Sequence, residues 1–310
     1  MNKLALLFAG QGAQSVGMGR DIAADFPVAA EIWREADATL DRPISDITWN
    51  GPIEELTKTS NAQRALYVEG LASFAALREL VPGLPVAAAA GLSLGEWTAH
   101  AAAGTFDFAT GLKLVEKRGQ LMEAACEATA GAMAAMIGAD ESAVRQLAAD
   151  TDVDIANLNA PGQIVISGEA AKVEMAVSLA REHGIRRATM LNVAGAYHSR
   201  LMNSAYLALG DALVDAMFQA PAFTVVSNVT GAAAETLPEI RQSLQDQVTG
   251  TVRWVDCMEW LIDNGCDLFI ELGPGGVLAG LAQRIRKGVE VISVTDAASL
   301  RACAERLRAA

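Results

Sequence analysis

Short apolar runs alternate with longer stretches of helical spacing, and their order sets the architecture before any residue chemistry is considered. Leu4–Ala9 is a continuous apolar run of strand length, broken by the glycine-rich segment Gly10-Gln11-Gly12-Ala13-Gln14. Helical spacing then covers residues 21–40, interrupted at Pro27, and residues 61–80. A second run suited to a buried strand, Val86–Ala90, leads into Gly91-Leu92-Ser93-Leu94-Gly95-Glu96, with helices predicted over 94–103 and 107–125. From Gly131 the rhythm tightens to strand 132–137, helix 141–149, strand 154–157, a turn at Asn159–Gly162, strand 163–167, helix 170–183 and strand 188–193. That βαββαβ order is the split-βαβ, ferredoxin-like signature. Beyond it lie a helix over 200–217, a strand at 223–227, helices over 238–248 and 254–264, and a strand at 268–271. Gly273-Pro274-Gly275-Gly276 then turns into a helix with a basic end, a strand at 290–294 and a terminal helix. The alternation predicts an α/β fold around a mostly parallel sheet, formed by 1–125 and 196–310, with 126–195 inserted as a small ferredoxin-like subdomain.

Composition narrows the class. With 310 residues, 52% of them hydrophobic, the chain can bury a sizeable core. Thirty-seven acidic against twenty-four basic residues give a net charge of −13, which disfavours nonspecific nucleic-acid binding. No apolar run approaches the ~20 residues of a membrane span, and Leu4–Ala9 is short for a signal segment. The cysteines at 126, 257, 266 and 303 form no CxxC pair, and there are three histidines, so no metal centre is expected. Free thiols in a reducing cytoplasm are the plain expectation.

The strongest local chemistry is Gly91-Leu92-Ser93-Leu94-Gly95, a GxSxG between a predicted strand and a predicted helix. A nucleophile elbow needs small residues two positions either side of its serine, and the helix start then offers N–H groups to an oxyanion. Ser93-Leu94-Gly95-Glu96 is equally an S-x-x-E capping box, which would make the serine a helix cap. Among candidate bases, His100 lies seven residues on, ~10 Å along the same helix axis, too far for proton transfer. His183 precedes Gly184 at a predicted helix end, where a histidine meets the last carbonyls. His198, in the junction loop Gly195-Ala196-Tyr197-His198-Ser199, is the candidate base by elimination, a cap or surface role being the alternative. Arg118 is either an exposed helix charge beside Glu116, Lys117 and Glu123, or a guanidinium fork for a carboxylate. The 10–14 loop lacks both GxGxxG and the Walker lysine but could donate a backbone N–H to an oxyanion.

Together these blocks resemble the malonyl-CoA:acyl-carrier-protein transacylase family of fatty-acid synthesis. The likeness runs from Phe8-Ala9-Gly10-Gln11-Gly12 through Gly91–Glu96, Lys117–Met122, Asn157–Gly168 and Ala196–Ser199 to Glu271–Gly276. It implies an α/β-hydrolase-like core carrying a ferredoxin-like insert, and a ping-pong transfer of malonyl from malonyl-CoA, through an acyl-serine, to the phosphopantetheine thiol of acyl carrier protein. Carried over residue by residue, Ser93 is the nucleophile and His198 the base. The backbone amides of Gln11 and Leu94 form the oxyanion hole, and Arg118 pairs with the malonyl carboxylate. Gln63 and Gln163 line the pocket, and the Tyr197 ring narrows it against a 2-methyl branch. The resemblance orients the histidine by a backbone carbonyl, here placed within Gly250–Trp254. The chain departs from the family at Leu92, usually His, at Arg64, commonly Pro, and at Arg253, in some members Gln. A cytoplasmic monomer with no tightly bound cofactor is expected. Arg284, Arg286 and Lys287 are the candidate docking patch for an acidic carrier, a helix end enriched in cations being the alternative. A free-standing acyltransferase serving a polyketide synthase and an acyl-thioester hydrolase are the alternative functions.

Overall fold

In the computed structural model, residues 3–309 are described. Their strands are β1 Leu4–Phe8, β2 Val86–Gly91, β3 Gly131–Ile137, β4 Asp154–Ala160, β5 Gln163–Glu169, β6 Arg187–Met190, β7 Thr224–Val225, β8 Leu268–Leu272 and β9 Glu290–Val294. The chain divides into two compact units, one of 1–119, 216–226 and 259–310 and the other of 120–215 and 227–258. The second unit therefore takes in stretches on the C-terminal side of the predicted insert.

The first unit is built on a parallel sheet in the order β7-β2-β1-β8-β9. Every residue of β1 and β8 is buried, which explains why these strands read as unbroken apolar runs rather than alternating ones. Parallel registry aligns Phe8 with Gly91 and with Leu272, so the loops that leave β1, β2 and β8 emerge at one edge of the sheet. The Thr59–Leu80 helix is buried without a gap from Ala62 to Phe74, apolar and polar faces alike. Its Gln63, Arg64 and Glu69 must therefore find partners inside the protein. Two short helices, Ile44–Asn50 and Ile53–Thr57, have no counterpart among the predicted elements. The first is capped from a distance, by Asp37 Oδ1 accepting from Ile44 N at 2.7 Å and Ser45 N at 3.0 Å.

The second unit carries an antiparallel sheet in the order β4-β5-β3-β6, which is the ferredoxin-like arrangement of a βαββαβ chain. Its core gathers Val144 and Leu147, from the Glu141–Thr151 helix, and Val173 and Ala176, from the Ala170–Leu179 helix, with Ile155, Ile164 and Ile166 of the sheet. The second of these helices stops at Leu179 rather than 183, and Gly184 at φ 74° completes the turn. The segment after His198 begins as a 3-10 turn, Arg200–Met202, before becoming the Asn203–Asp215 helix.

Candidate active site

In the first unit, Ser93 follows β2 and precedes the Leu94–Ala102 helix. Its φ of 54° and ψ of −104° lie where L-residues are strained, and its side chain makes no capping bond to the helix it precedes. The capping-box reading fails here. The protein does build a reciprocal capping box elsewhere, from Thr236 and Glu239. The flanking glycines are demanded by space. A Cβ on Gly91 would lie 2.0 Å from the Gly95 carbonyl carbon, and one on Gly95 would lie 2.1 Å from Phe8 O. The elbow is thus pressed against the end of β1, whose Phe8 O accepts from Leu92 N at 3.2 Å. Leu92 packs toward Gly10, where a Cβ would meet Leu92 O at 2.3 Å. Gln11 lies three residues past Phe8 and Leu94 three past Gly91, so the registry carries both amides off the same edge of the sheet.

Arg118 lies in the Phe108–Ala128 helix and is 1% exposed, so it is no surface charge. Its guanidinium forks between two acceptors: Nη1 donates to Gln63 Oε1 at 2.6 Å and Nη2 to Ser93 Oγ at 3.0 Å. Gln63 Nε2 donates in turn to Gln11 Oε1 at 3.3 Å. A chain of polar contacts therefore links the cation to the loop after β1. A buried guanidinium beside a nucleophile is a ready partner for a carboxylate on the acyl group that nucleophile accepts. His100 is remote from this chemistry. Its Nδ1 lies 3.0 Å from Thr105 Oγ1, and burial lowers its pKa to about 3, which keeps the ring neutral.

In the second unit, His198 is buried, with φ 55°. Among the described residues, the non-glycine positions with positive φ are Ser93, Asp152 and His198, and two of these are the groups singled out by chemistry. His198 Nδ1 lies 2.7 Å from Gln247 O. A carbonyl only accepts, so the proton sits on Nδ1 and Nε2 is the basic nitrogen. The orienting carbonyl is therefore that of Gln247, three residues before the segment Gly250–Trp254 expected to supply it. That carbonyl lies one residue past the Leu237–Asp246 helix, where no further helical turn follows to take it up. Gln247 is itself fully buried, and its Nε2 donates to Asn228 Oδ1 at 3.3 Å. Neither Gln247 nor Asn228 carries a sequence signal, being 49 and 30 positions from the histidine in a chain with several similar amides. Arg253 is engaged elsewhere, its guanidinium pairing with Asp256 at 2.6 Å and its backbone N–H donating to Asn228 O at 2.8 Å.

Tyr197 is buried with its hydroxyl against the Cys126 thiol; burial raises the pKa of that thiol, and the Tyr197 contact lowers it in part. Gln163 opens β5 opposite Ile137, at the far end of β3 from Gly131, where Ala196 packs. His183 Nε2 lies 3.6 Å from an oxygen of Asp150, a surface contact. In the first unit, Arg286 and Lys287 lie just before β9, whose Glu290 pairs with Leu268. That is the opposite edge of the sheet from Ser93, separated by a strand of about 15 Å. The expected docking patch thus lies away from the nucleophile, because the helix bearing it runs antiparallel to the strands. Arg286 pairs there with Asp263 at 3.4 Å.

Comparison with known proteins converges with this geometry. A family model described as an acyl transferase domain matches residues 5–302. A malonyl CoA-acyl carrier protein transacylase of Bacillus subtilis is 38% identical, covering 99% of this chain and 98% of its own. A crystal structure of acyl-carrier-protein-S-malonyltransferase from Bartonella henselae superposes with a TM-score of 0.95 at 38% identity, covering 99% of each chain. A malonyl-transacylase solved in complex with a type II PKS acyl-carrier protein superposes at 0.93 with 36% identity, covering 98% of this chain and 99% of that one.

Proposed function

The chain belongs to the acyl transferase domain family, and on that premise we propose that it moves a malonyl group from malonyl-CoA to the phosphopantetheine thiol of an acyl carrier protein. The observation that carries the substrate is Arg118, a buried cation 3.0 Å from the nucleophilic oxygen. A buried guanidinium beside the serine hydroxyl offers a planar fork that favours an acyl group bearing a carboxylate over a neutral one.

The reaction runs in two halves. Ser93 Oγ attacks the thioester carbonyl and His198 Nε2 takes its proton, while Nδ1–H stays bound to Gln247 O. The amides of Gln11 and Leu94 hold the oxygen of the tetrahedral intermediate. The C–S bond breaks, and the departing coenzyme A thiolate receives the proton from the imidazolium. The carrier thiol then gives its proton to His198 and attacks the malonyl ester. Ser93 Oγ departs and is reprotonated. Orientation by a carbonyl dipole suits a base that must be protonated and released twice per turnover. Gln63 steadies the Arg118 fork, while Gln163 and Tyr197 are assigned to the pocket by resemblance alone. The scheme requires no resident cofactor, and the enzyme acts as a cytoplasmic monomer. Among the described residues no helix is long and apolar enough to cross a membrane.

The test is intact-protein mass spectrometry after mixing with malonyl-CoA, acetyl-CoA or methylmalonyl-CoA, followed by addition of holo acyl carrier protein. A malonyl adduct that is absent in Ser93→Ala and moves to the carrier establishes the transfer. An adduct lost to water instead identifies a hydrolase, and no adduct from any thioester overturns the reading. The likeness to a type II PKS partner's transacylase favours one second reading, service to a polyketide carrier, which a side-by-side transfer to the two carriers decides.

A further inference from the structure

We propose that Arg64 and Glu116 form a positioning pair that holds the Arg118 fork in line with Ser93, and thereby set the preference for a charged acyl group. The inference rests on the malonyl-transfer reading and concerns two residues that touch no substrate in it.

The Thr59–Leu80 and Phe108–Ala128 helices meet through contacts that run antiparallel. At one end their backbones touch: a Cβ on Gly119 would lie 2.8 Å from Ser60 Cα. At the other, Tyr67 Oη donates to Phe108 O at 3.2 Å, and a Cβ on Gly111 would lie 2.1 Å from that hydroxyl. Between them are two polar contacts, Arg118 to Gln63 and Arg64 to Glu116. Gln63 and Arg64 are neighbours on one helix, and Glu116 and Arg118 are two residues apart on the other. At about 100° per residue, the two contacts therefore leave each helix in different directions.

That divergence matters because a single contact lets a helix roll about its own axis. Arg118 reaches about 8 Å from its helix axis, so a roll of roughly 15° would move the guanidinium by about 2 Å. A displacement of that size takes it out of hydrogen-bond range of Ser93 Oγ. The Arg64–Glu116 pair blocks the roll. Its Nη1···Oε1 distance is 2.8 Å, and the two side chains are only 10% and 24% exposed. The guanidinium is held on its own helix before it meets Glu116, with Nε donating to Ser60 O at 2.9 Å and Nη2 to Asn61 Oδ1 at 2.5 Å. A proline, common at this position in the family, could make none of these contacts.

The test compares Arg64→Met, Glu116→Gln and the double variant with the wild type. It measures serine acylation by malonyl-CoA and by acetyl-CoA together with the melting temperature. The expected result is a KM for malonyl-CoA raised about tenfold with kcat within about twofold, and acetyl acylation unchanged. The double variant should be no worse than the poorer single variant, and Arg64→Lys, which keeps the charge, should recover part of the preference. Glu116→Gln is nearly isosteric and carries the test if Arg64→Met does not fold. Malonyl and acetyl acylation falling together would show a role in stability only, and no change in either would equally overturn the pair's assignment. A wild-type protein that forms no malonyl-serine would instead overturn the function on which the inference rests, and the inference with it.

Discussion

At the scale of single residues, the protein decides chemistry by giving each polar group a distinct set of partners. Two N–H groups of the Arg118 guanidinium go to different acceptors, Gln63 Oε1 and Ser93 Oγ, an arrangement that suits a planar fork. Arg118→Lys should therefore behave as a severe change. Malonyl-CoA acylation is expected to fall at least about 100-fold, with acetyl-CoA acylation much less affected. Burst kinetics with the two thioesters check this, and equal losses would show that the guanidinium serves the fold rather than the substrate. His198 is set by the same logic in reverse. A carbonyl partner at Nδ1, Gln247 O at 2.7 Å, admits one tautomer and leaves the basic lone pair on Nε2. Gln247→Ala keeps that carbonyl, whereas Asn228→Ala loosens the side chain that anchors it. Each should lower transacylation by no more than about tenfold, far less than loss of His198 itself. Rates measured for the three variants side by side test that order.

Among the elements, close backbone approach outweighs propensity. The turn between β2 and the Leu94–Ala102 helix works because two glycines let the elbow press on the end of β1. Gly95→Ala would drive a Cβ to 2.1 Å from Phe8 O, which nothing flexible can relieve. A loss of at least about 3 kcal/mol is expected, visible as a large fall in melting temperature. Gly280→Ala is the contrasting control. It lies exposed in the Val277–Ile285 helix with no atom within 4 Å of a built Cβ. There the substitution should stabilise by about 0.5–1 kcal/mol, through helix propensity and a less flexible unfolded chain. If the two variants melted alike, steric crowding at the elbow would not be what selects its glycines.

Across the molecule as a whole, buried ionisable groups shape the response to pH. Glu69 lies within the enclosed stretch of the Thr59–Leu80 helix and accepts from Ser73 Oγ at 2.8 Å. Burial raises its pKa from 4.5 to about 7, against the lowering effect of Ser73, with Asp21 adding to the rise. A carboxyl whose folded pKa is raised binds its proton more tightly in the folded state. Its stability contribution is therefore intact below pH 4.5 and is lost as pH climbs to about 7, in total about 3 kcal/mol. His100 works the other way. Its pKa, lowered from 6.5 to about 3 by burial, costs stability as pH falls through that range. Between pH 4.5 and 6.5 the two slopes oppose each other. Glu69→Gln should leave the histidine slope alone, so that stability rises with pH in that window and exceeds the wild type at about pH 8. Thermal melts of both proteins from about pH 4.5 to 8 read this directly, and parallel curves would refute it.

The fold class and most of the elements are legible in the order of amino acids alone, the short helices Ile44–Asn50 and Ile53–Thr57 being exceptions. Runs such as Leu4–Phe8 and Leu268–Leu272 are buried on both faces, so their strand character is written in local apolarity, and the βαββαβ order follows from short-range periodicity. Ser93 stands out in the sequence because an elbow demands glycines at fixed offsets, and His198 because there are only three histidines, whereas Arg118, one of eighteen arginines, stands out through the family resemblance alone. Whether Ser93 caps its helix is settled by folding, since a capping box and an elbow share one spelling and differ in backbone angles. Gln247 and Asn228 are bland amides until a helix end delivers one of them to the histidine. The Arg284–Lys287 cluster lands at the opposite edge of the sheet from Ser93, because the direction of a helix is invisible in its charges. Arg64 and Glu116 meet across 52 residues. Local pattern records what a segment must bury, whereas a partner across the chain is chosen by packing, which no single segment contains.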